Sequence, residues 1–208
     1  MRRCLALLAI CAIACVGVSA DVIFSNFGTG DSFNLSMAWT LTGPASAIGT
    51  EYDQAMAFTP GADYFLDQVD VAIRNVQDDD QVDVMITDDN GGIPGTILEQ
   101  TSVIAPGTAG VVTATFAGTT QLSSGQQYWL WLSAYDDGYS AWNWNDQGDT
   151  ALKAQSMDLS SGGSWSPSIG NTRGAYRVEG TLVPEPGTFV LLGLGAVGLV
   201  LYRRRKQS

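Results

Sequence analysis

Carboxylates crowd into two short stretches of this chain, Asp78-Asp79-Asp80 with Asp83, and then Asp88-Asp89-Asn90. Their oxygens suit a hard divalent cation: calcium takes roughly six to eight oxygen ligands. A hairpin end would bring Asp78, Asp80, Asp88, Asp89 and Asn90 together for that purpose. The spacing departs from the EF-hand loop, because Asp78-x-Asp80 opens it but no glycine stands at the sixth position and no glutamate at the twelfth. Asp and Asn also occupy turns for local hydrogen-bonding reasons alone, so a solvated turn and a calcium site both remain open. Asp146-Gln147-Gly148-Asp149, preceded by Asn143 and Asn145, admits the same two readings.

A second group is aromatic. Trp129, Trp131, Trp142, Trp144 and Trp165, with Tyr135 and Tyr139, include five of the six tryptophans. Rings of this kind pack cores; they also stack on sugar faces while Asn and Asp side chains take the hydroxyls. Trp142, Asn143 and Trp144 are the residues best suited to such a ligand platform.

Other chemistries are excluded or unsupported. The chain has no histidine, which removes the commonest general base and the commonest transition-metal ligand. Its three cysteines, Cys4, Cys11 and Cys15, all lie in an N-terminal segment expected to be removed, so the body has neither thiol nor disulfide. No two carboxylates are marked as a glycosidase pair, and no phosphate-binding loop is present. The expectation is a protein that is not an enzyme, with a secreted glycan hydrolase as the weakest alternative. Between residues 21 and 182 twenty carboxylates face only Arg74, Lys153, Arg173 and Arg177, a formal charge of −16. Such a surface repels nucleic acid and attracts divalent cations.

The elements that must position these groups read as strands. Hydrophobic alternation or β-rich composition marks Asp21–Phe27, Ala38–Leu41, Gln54–Thr59, Tyr64–Ile73, Val82–Thr87, Thr96–Glu99, Val111–Phe116, Gln127–Leu132, Ser140–Trp144 and Ala175–Gly180. Within Tyr64–Ile73 the residues Val69, Val71 and Ile73 alternate cleanly, while Leu66 falls out of phase. Trp129 and Trp131 share one face of their strand, Tyr128, Leu130 and Leu132 the other, which suits a central strand. Gly- and Pro-containing turns separate the strands, and no ten-residue stretch between residues 21 and 182 carries a helical period. The fold class expected is all-β, an antiparallel β-sandwich of jelly-roll type spanning residues 21–182.

Both ends of the chain differ from this body. Arg2 and Arg3, the apolar run Leu5–Val16 and the small residues Val18-Ser19-Ala20 form a secretory signal peptide, residues 1–20, with cleavage between Ala20 and Asp21. Ala12-Ile13-Ala14-Cys15 loosely resembles a lipobox, an alternative that would lipidate Cys15. Residues 183–208 comprise Val183-Pro184-Glu185-Pro186, an uncharged apolar stretch from Phe189 to Tyr202, and the basic stop Arg203-Arg204-Arg205-Lys206. The prolines hold the first piece extended. The stretch, at 1.5 Å per residue roughly 21 Å long, can sit in a bilayer as a single short transmembrane helix, with the cations kept on the cytoplasmic side.

That three-part order closely resembles the PEP-CTERM sorting signal of exopolysaccharide-producing Gram-negative bacteria. The resemblance implies that Pro184, Glu185 and Pro186 are read by exosortase, a membrane-embedded cysteine-type transpeptidase. It further implies export through Sec and signal peptidase, an inner-membrane-held precursor with its tail in the cytoplasm, and release to the cell surface or an exopolysaccharide matrix. The body looks like the choice-of-anchor secreted domains, type R in particular, through Asn26-Phe27-Gly28, Ala55-Met56-Ala57-Phe58-Thr59, Thr87–Gly95, Gln127-Tyr128-Trp129-Leu130 and Ala141–Asn145. These modules supply no catalytic residues to carry over. The function expected is therefore that of an exported, non-catalytic surface or matrix protein sorted through its tail, with a carbohydrate- or calcium-binding module as the alternative and no cofactor beyond calcium.

Overall fold

The computed structural model describes residues 20–184. The signal-peptide residues, and the tail from Glu185 onward including its apolar stretch, lie outside the described residues. Thirteen strands follow one another: β1 (Asp21–Ser25), β2 (Ala38–Thr42), β3 (Tyr52–Phe58), β4 (Tyr64–Gln77), β5 (Gln81–Asp89), β6 (Pro94–Ile104) and β7 (Gly110–Thr115). The remainder are β8 (Gln121–Leu122), β9 (Tyr128–Ala134), β10 (Tyr139–Asn143), β11 (Lys153–Met157), β12 (Trp165–Ser168) and β13 (Tyr176–Leu182). The only helix among the described residues is a single 3-10 turn, Leu159–Ser161, and none is long and apolar enough to cross a membrane.

All pairings are antiparallel, and hydrogen bonding runs continuously through the strands as one curled sheet. In one half the long β4 is central: β13 and then β10 pair along one edge of it, and β7 and β8 along the other. β1 extends this half beyond β13, and β2 beyond β10. The other half runs β12-β11-β3-β9-β5-β6. β2 and β3 join the halves through one residue pair, Thr42 opposite Tyr52.

The main core draws on both halves. Leu66, Val69, Val71 and Ile73 of β4 and Tyr176 and Val178 of β13 share it with Met56 and Phe58 of β3, Val82, Val84 and Ile86 of β5, and Leu130 and Leu132 of β9. The phase slip at Leu66 has a physical cause. The register against β13 shifts between Glu179 and Gly180, which face Gln68 and Leu66, so Asp67 is the extra residue of a β-bulge and Leu66 returns to the core face. The Asp67 carbonyl accepts the Phe116 amide at 2.9 Å.

A second, smaller cluster lies on the opposite face of the β3 half. There Trp129 packs among Ala55, Ala57 and Ala154, and Trp131 stands edge-on to Trp165 at 5.2 Å. Small alanines on the neighbouring strands leave room for the indoles, so β9 is apolar on both faces, as its alternation predicts.

Candidate functional site: a hairpin cleft and the root of the tail

The hairpin of β11 and β12 builds a cleft. Lys153 faces Ser168 across the pair and Gln155 faces Ser166, so these four side chains share one face. The opposite face, with Ala154, Ser156 and Trp165, packs down onto Trp131. The first face lines an open cavity of about 700 Å³, whose lining also includes Trp39 of β2, Asp158 and Asn171. The Trp39 ring is held in place: its Nε1 donates to the Thr172 carbonyl at 2.7 Å, and it packs on Trp144 at 5.4 Å.

Lys153 is the unusual member of this lining. The residue is 3% exposed, and its Nζ sits 3.4 Å from the Trp39 ring centre. Its one hydrogen bond is a long one, 3.5 Å to Gln54 Oε1. No carboxylate pairs with it: the ion pairs among the described residues involve only Arg173 and Arg177. Burial pulls its pKa down to about 8, so the ammonium still carries its proton at neutral pH. The cation–π contact compensates this burial only in part.

On the other face of β3 lies a buried acid. Asp53, 1% exposed, stands opposite Ser156 of β11, and neither of its carboxylate oxygens makes a well-formed hydrogen bond, though the polar groups of Ser133 and Trp131 lie close by. Desolvation pushes its pKa up to about 6, against partial relief from Ser133 and Trp131, and nearby Glu51 adds to the rise. Glu51 itself is engaged, accepting from the Ser160 amide at 3.0 Å.

The residues singled out from the sequence fall elsewhere. Trp142 and Asn143 are fully enclosed and belong to the interior rather than to a ligand platform. Trp142 Nε1 donates to the Ala175 carbonyl at 3.0 Å, and Asn143 Nδ2 donates to the Asn34 carbonyl at 2.9 Å. Trp144 is half-buried behind Trp39. Asn145 pins the neighbouring loop by donating to the Asp149 and Arg173 carbonyls, and Asp149 pairs with the buried Arg173 at 3.3 Å.

The two acidic stretches do not converge on a shared hairpin end. Asp78 and Asp80 precede β5 whereas Asp88, Asp89 and Asn90 fall at its far end, so the length of the strand, roughly 25 Å at 3.3 Å per residue, separates them. Asp78 accepts from Gln77 Nε2 at 2.8 Å. Burial works against the charge of Asp89, but hydrogen bonds from the Trp129 indole at 2.8 Å, the Gly92 amide and the Gln127 amide hold its carboxyl below the usual range. Among the described residues no three acids come together in a way that would hold a metal ion.

The sequence reading passed over Lys153, Trp39 and Asp53. The available signal was rarity, since Lys153 is the one lysine in a body with four cations.

The first and last strands of the described body pair side by side. β1 begins with Asp21 opposite Gly180 of β13, and β13 runs antiparallel to it as far as Leu182. The expected cleavage point between Ala20 and Asp21 and the root of the tail therefore leave the domain from the same end. Val183 is still tied down, donating to the Asp63 carbonyl at 2.8 Å, and the next residue, Pro184, is exposed.

These features define an all-β body whose last strand runs directly into the C-terminal segment. Residues 182–206 match the PEP-CTERM protein-sorting motif, which implies exosortase as the processing partner and a secreted destination. No curated protein matches the chain. Among solved structures it is similar to a truncated AlyQ with CBM32 and alginate lyase domains, at 14% identity and a TM-score of 0.32, covering 81% of this chain and 33% of that one. It is also similar to a family two carbohydrate esterase from Cellvibrio japonicus, at 12% identity and a TM-score of 0.24, covering 72% of this chain and 36% of that one. The chain spans about a third of the length of these structures, and likeness at this level carries no argument about function.

Proposed function

We propose that this chain is an exported, non-catalytic surface or extracellular-matrix protein that an exosortase sorts through residues 183–208. In this reading signal peptidase cuts between Ala20 and Asp21 after Sec export. The apolar stretch and the basic stop Arg203–Lys206 then hold the precursor in the inner membrane, body outside and tail cytoplasmic. The body is a jelly-roll-like sandwich of the choice-of-anchor kind, its two half-sheets facing each other across the core. The observation that carries the reading is the motif match at residues 182–206.

The geometry of the ends supports it. Because both leave the same end of the domain, the precursor can be tethered through either terminus without unfolding a strand. Because Val183 is anchored to the body through its amide and Pro184 beside it is exposed, the motif Pro184-Glu185-Pro186 follows the last strand with almost no linker in sequence, which in this reading keeps the body close to the membrane-embedded enzyme.

The test is a double substitution, Pro184→Ala with Pro186→Ala, followed by cell fractionation and intact mass. The native chain is expected to lose the residues beyond the 184–186 region and leave the inner membrane; the variant should stay there at full tail length. Release of the variant with the same mass and yield as the native chain overturns the proposal.

A further inference from the structure

The cleft between the β11–β12 hairpin and Trp39 lies outside the sorting motif, and its chemistry selects a ligand. We propose that it binds a carboxylate-bearing sugar unit of an acidic glycan, with Lys153 taking the carboxylate.

Four observations converge. An enclosed lysine with no carboxylate partner among the described residues lines an open cavity, and a buried charge of this kind is normally paired. A single ligand carboxylate supplies the missing charge and takes up the N–H donors that Gln54 leaves unspent. Gln155, Ser166, Ser168 and Asn171 present amides and hydroxyls along the same lining, which match a ring bearing several hydroxyl groups. Trp39, its orientation fixed through Thr172, holds the ammonium against its ring and adds apolar wall to the cleft beside it. The volume, about 700 Å³, lies within the usual range for small-ligand clefts.

Charge narrows the class further. One cation faces the cavity, and Asp158 stands at its edge in a body of formal charge −16. A densely charged ligand such as a polyphosphate or a nucleic acid would be repelled. A sugar acid, with one carboxylate per ring and hydroxyls elsewhere, meets the ammonium and can donate to Asp158.

Calorimetry at neutral pH on the full chain in detergent tests this. The probes are tetramers of galacturonic, glucuronic and mannuronic acid, with cellotetraose as the uncharged comparison. At least one acidic tetramer should bind at least about tenfold more tightly than cellotetraose. Lys153→Met should weaken that binding by about tenfold or more. Ser166→Trp, on an exposed position of the hairpin, should fill the cleft and abolish binding while leaving the thermal melt in place. Should Lys153→Met fail to fold, Ser166→Trp decides alone. Absence of heat with all three acids, equal affinity for the neutral tetramer, or binding indifferent to the folded variants overturns the assignment. Neither variant touches residues 182–206, so sorting and ligand binding fail or succeed separately.

Discussion

Asp53 should make this protein less stable at neutral pH than in mild acid, and replacing it should reverse that penalty. The carboxyl is buried without a well-formed hydrogen bond, and desolvation raises its pKa from 3.8 to about 6. A folded-state pKa above the unfolded one means that the folded protein binds the proton more tightly. Stability therefore declines as pH rises from about 4 to about 6 and stays lower above that. A rise of about two units corresponds to about 3 kcal/mol at 1.36 kcal/mol per unit. Asp53→Asn keeps the shape and cannot ionise, so it should gain about 3 kcal/mol on the native protein between about pH 4 and about pH 7. In melting temperature this is a widening gap of roughly 6–12 °C for a domain of this size. Urea unfolding followed by tryptophan fluorescence, native and variant in parallel across that range, measures it. The difference between the two curves cancels the titration of groups that do not feel Asp53. A difference that stays constant within about 0.5 kcal/mol from pH 4 to pH 7 refutes the reasoning.

Lys153 should show the opposite trend: its pKa is lowered by burial to about 8, so stability should rise as pH climbs from about 8 toward 10, a rise that Lys153→Met lacks in the same unfolding assay. Gly174 packs against the Trp142 indole, and an added Cβ would lie 2.5 Å from its ring atoms; Gly174→Ala should cost about 1–3 kcal/mol or more by thermal denaturation. Trp142→Ala empties a fully enclosed site and should cost about 3–5 kcal/mol, whereas loss of ligand binding without loss of stability would restore Trp142 to a surface role. Because the two acidic stretches sit at opposite ends of β5, millimolar calcium should leave the melting temperature unchanged, and a saturable upward shift reversed by chelator would overturn that separation argument.

What the sequence determined by itself is local. Alternation placed β5, β7 and β9 and both faces of β9, because a period of two needs only neighbouring residues to be legible. The tail was equally legible, since its recognition depends on the order of a proline motif, an apolar stretch and a basic end. Tertiary structure decided the rest. The phase slip at Leu66 becomes a bulge only against β13. Trp142 and Asn143, polar-looking in their setting, are interior because β10 lies between β4 and β2. β11 and β12 escaped notice altogether: Lys153-Ala-Gln-Ser-Met has weak strand propensity and Trp165–Ser168 carries Pro167, which only an edge strand accepts. That hairpin makes the cleft, and the burial of Lys153 without a counter-charge follows from contacts between residues more than a hundred positions apart, Trp39 and Lys153. Spacing along a chain encodes strand faces and sorting labels; the environment of a charge is set by which strands meet.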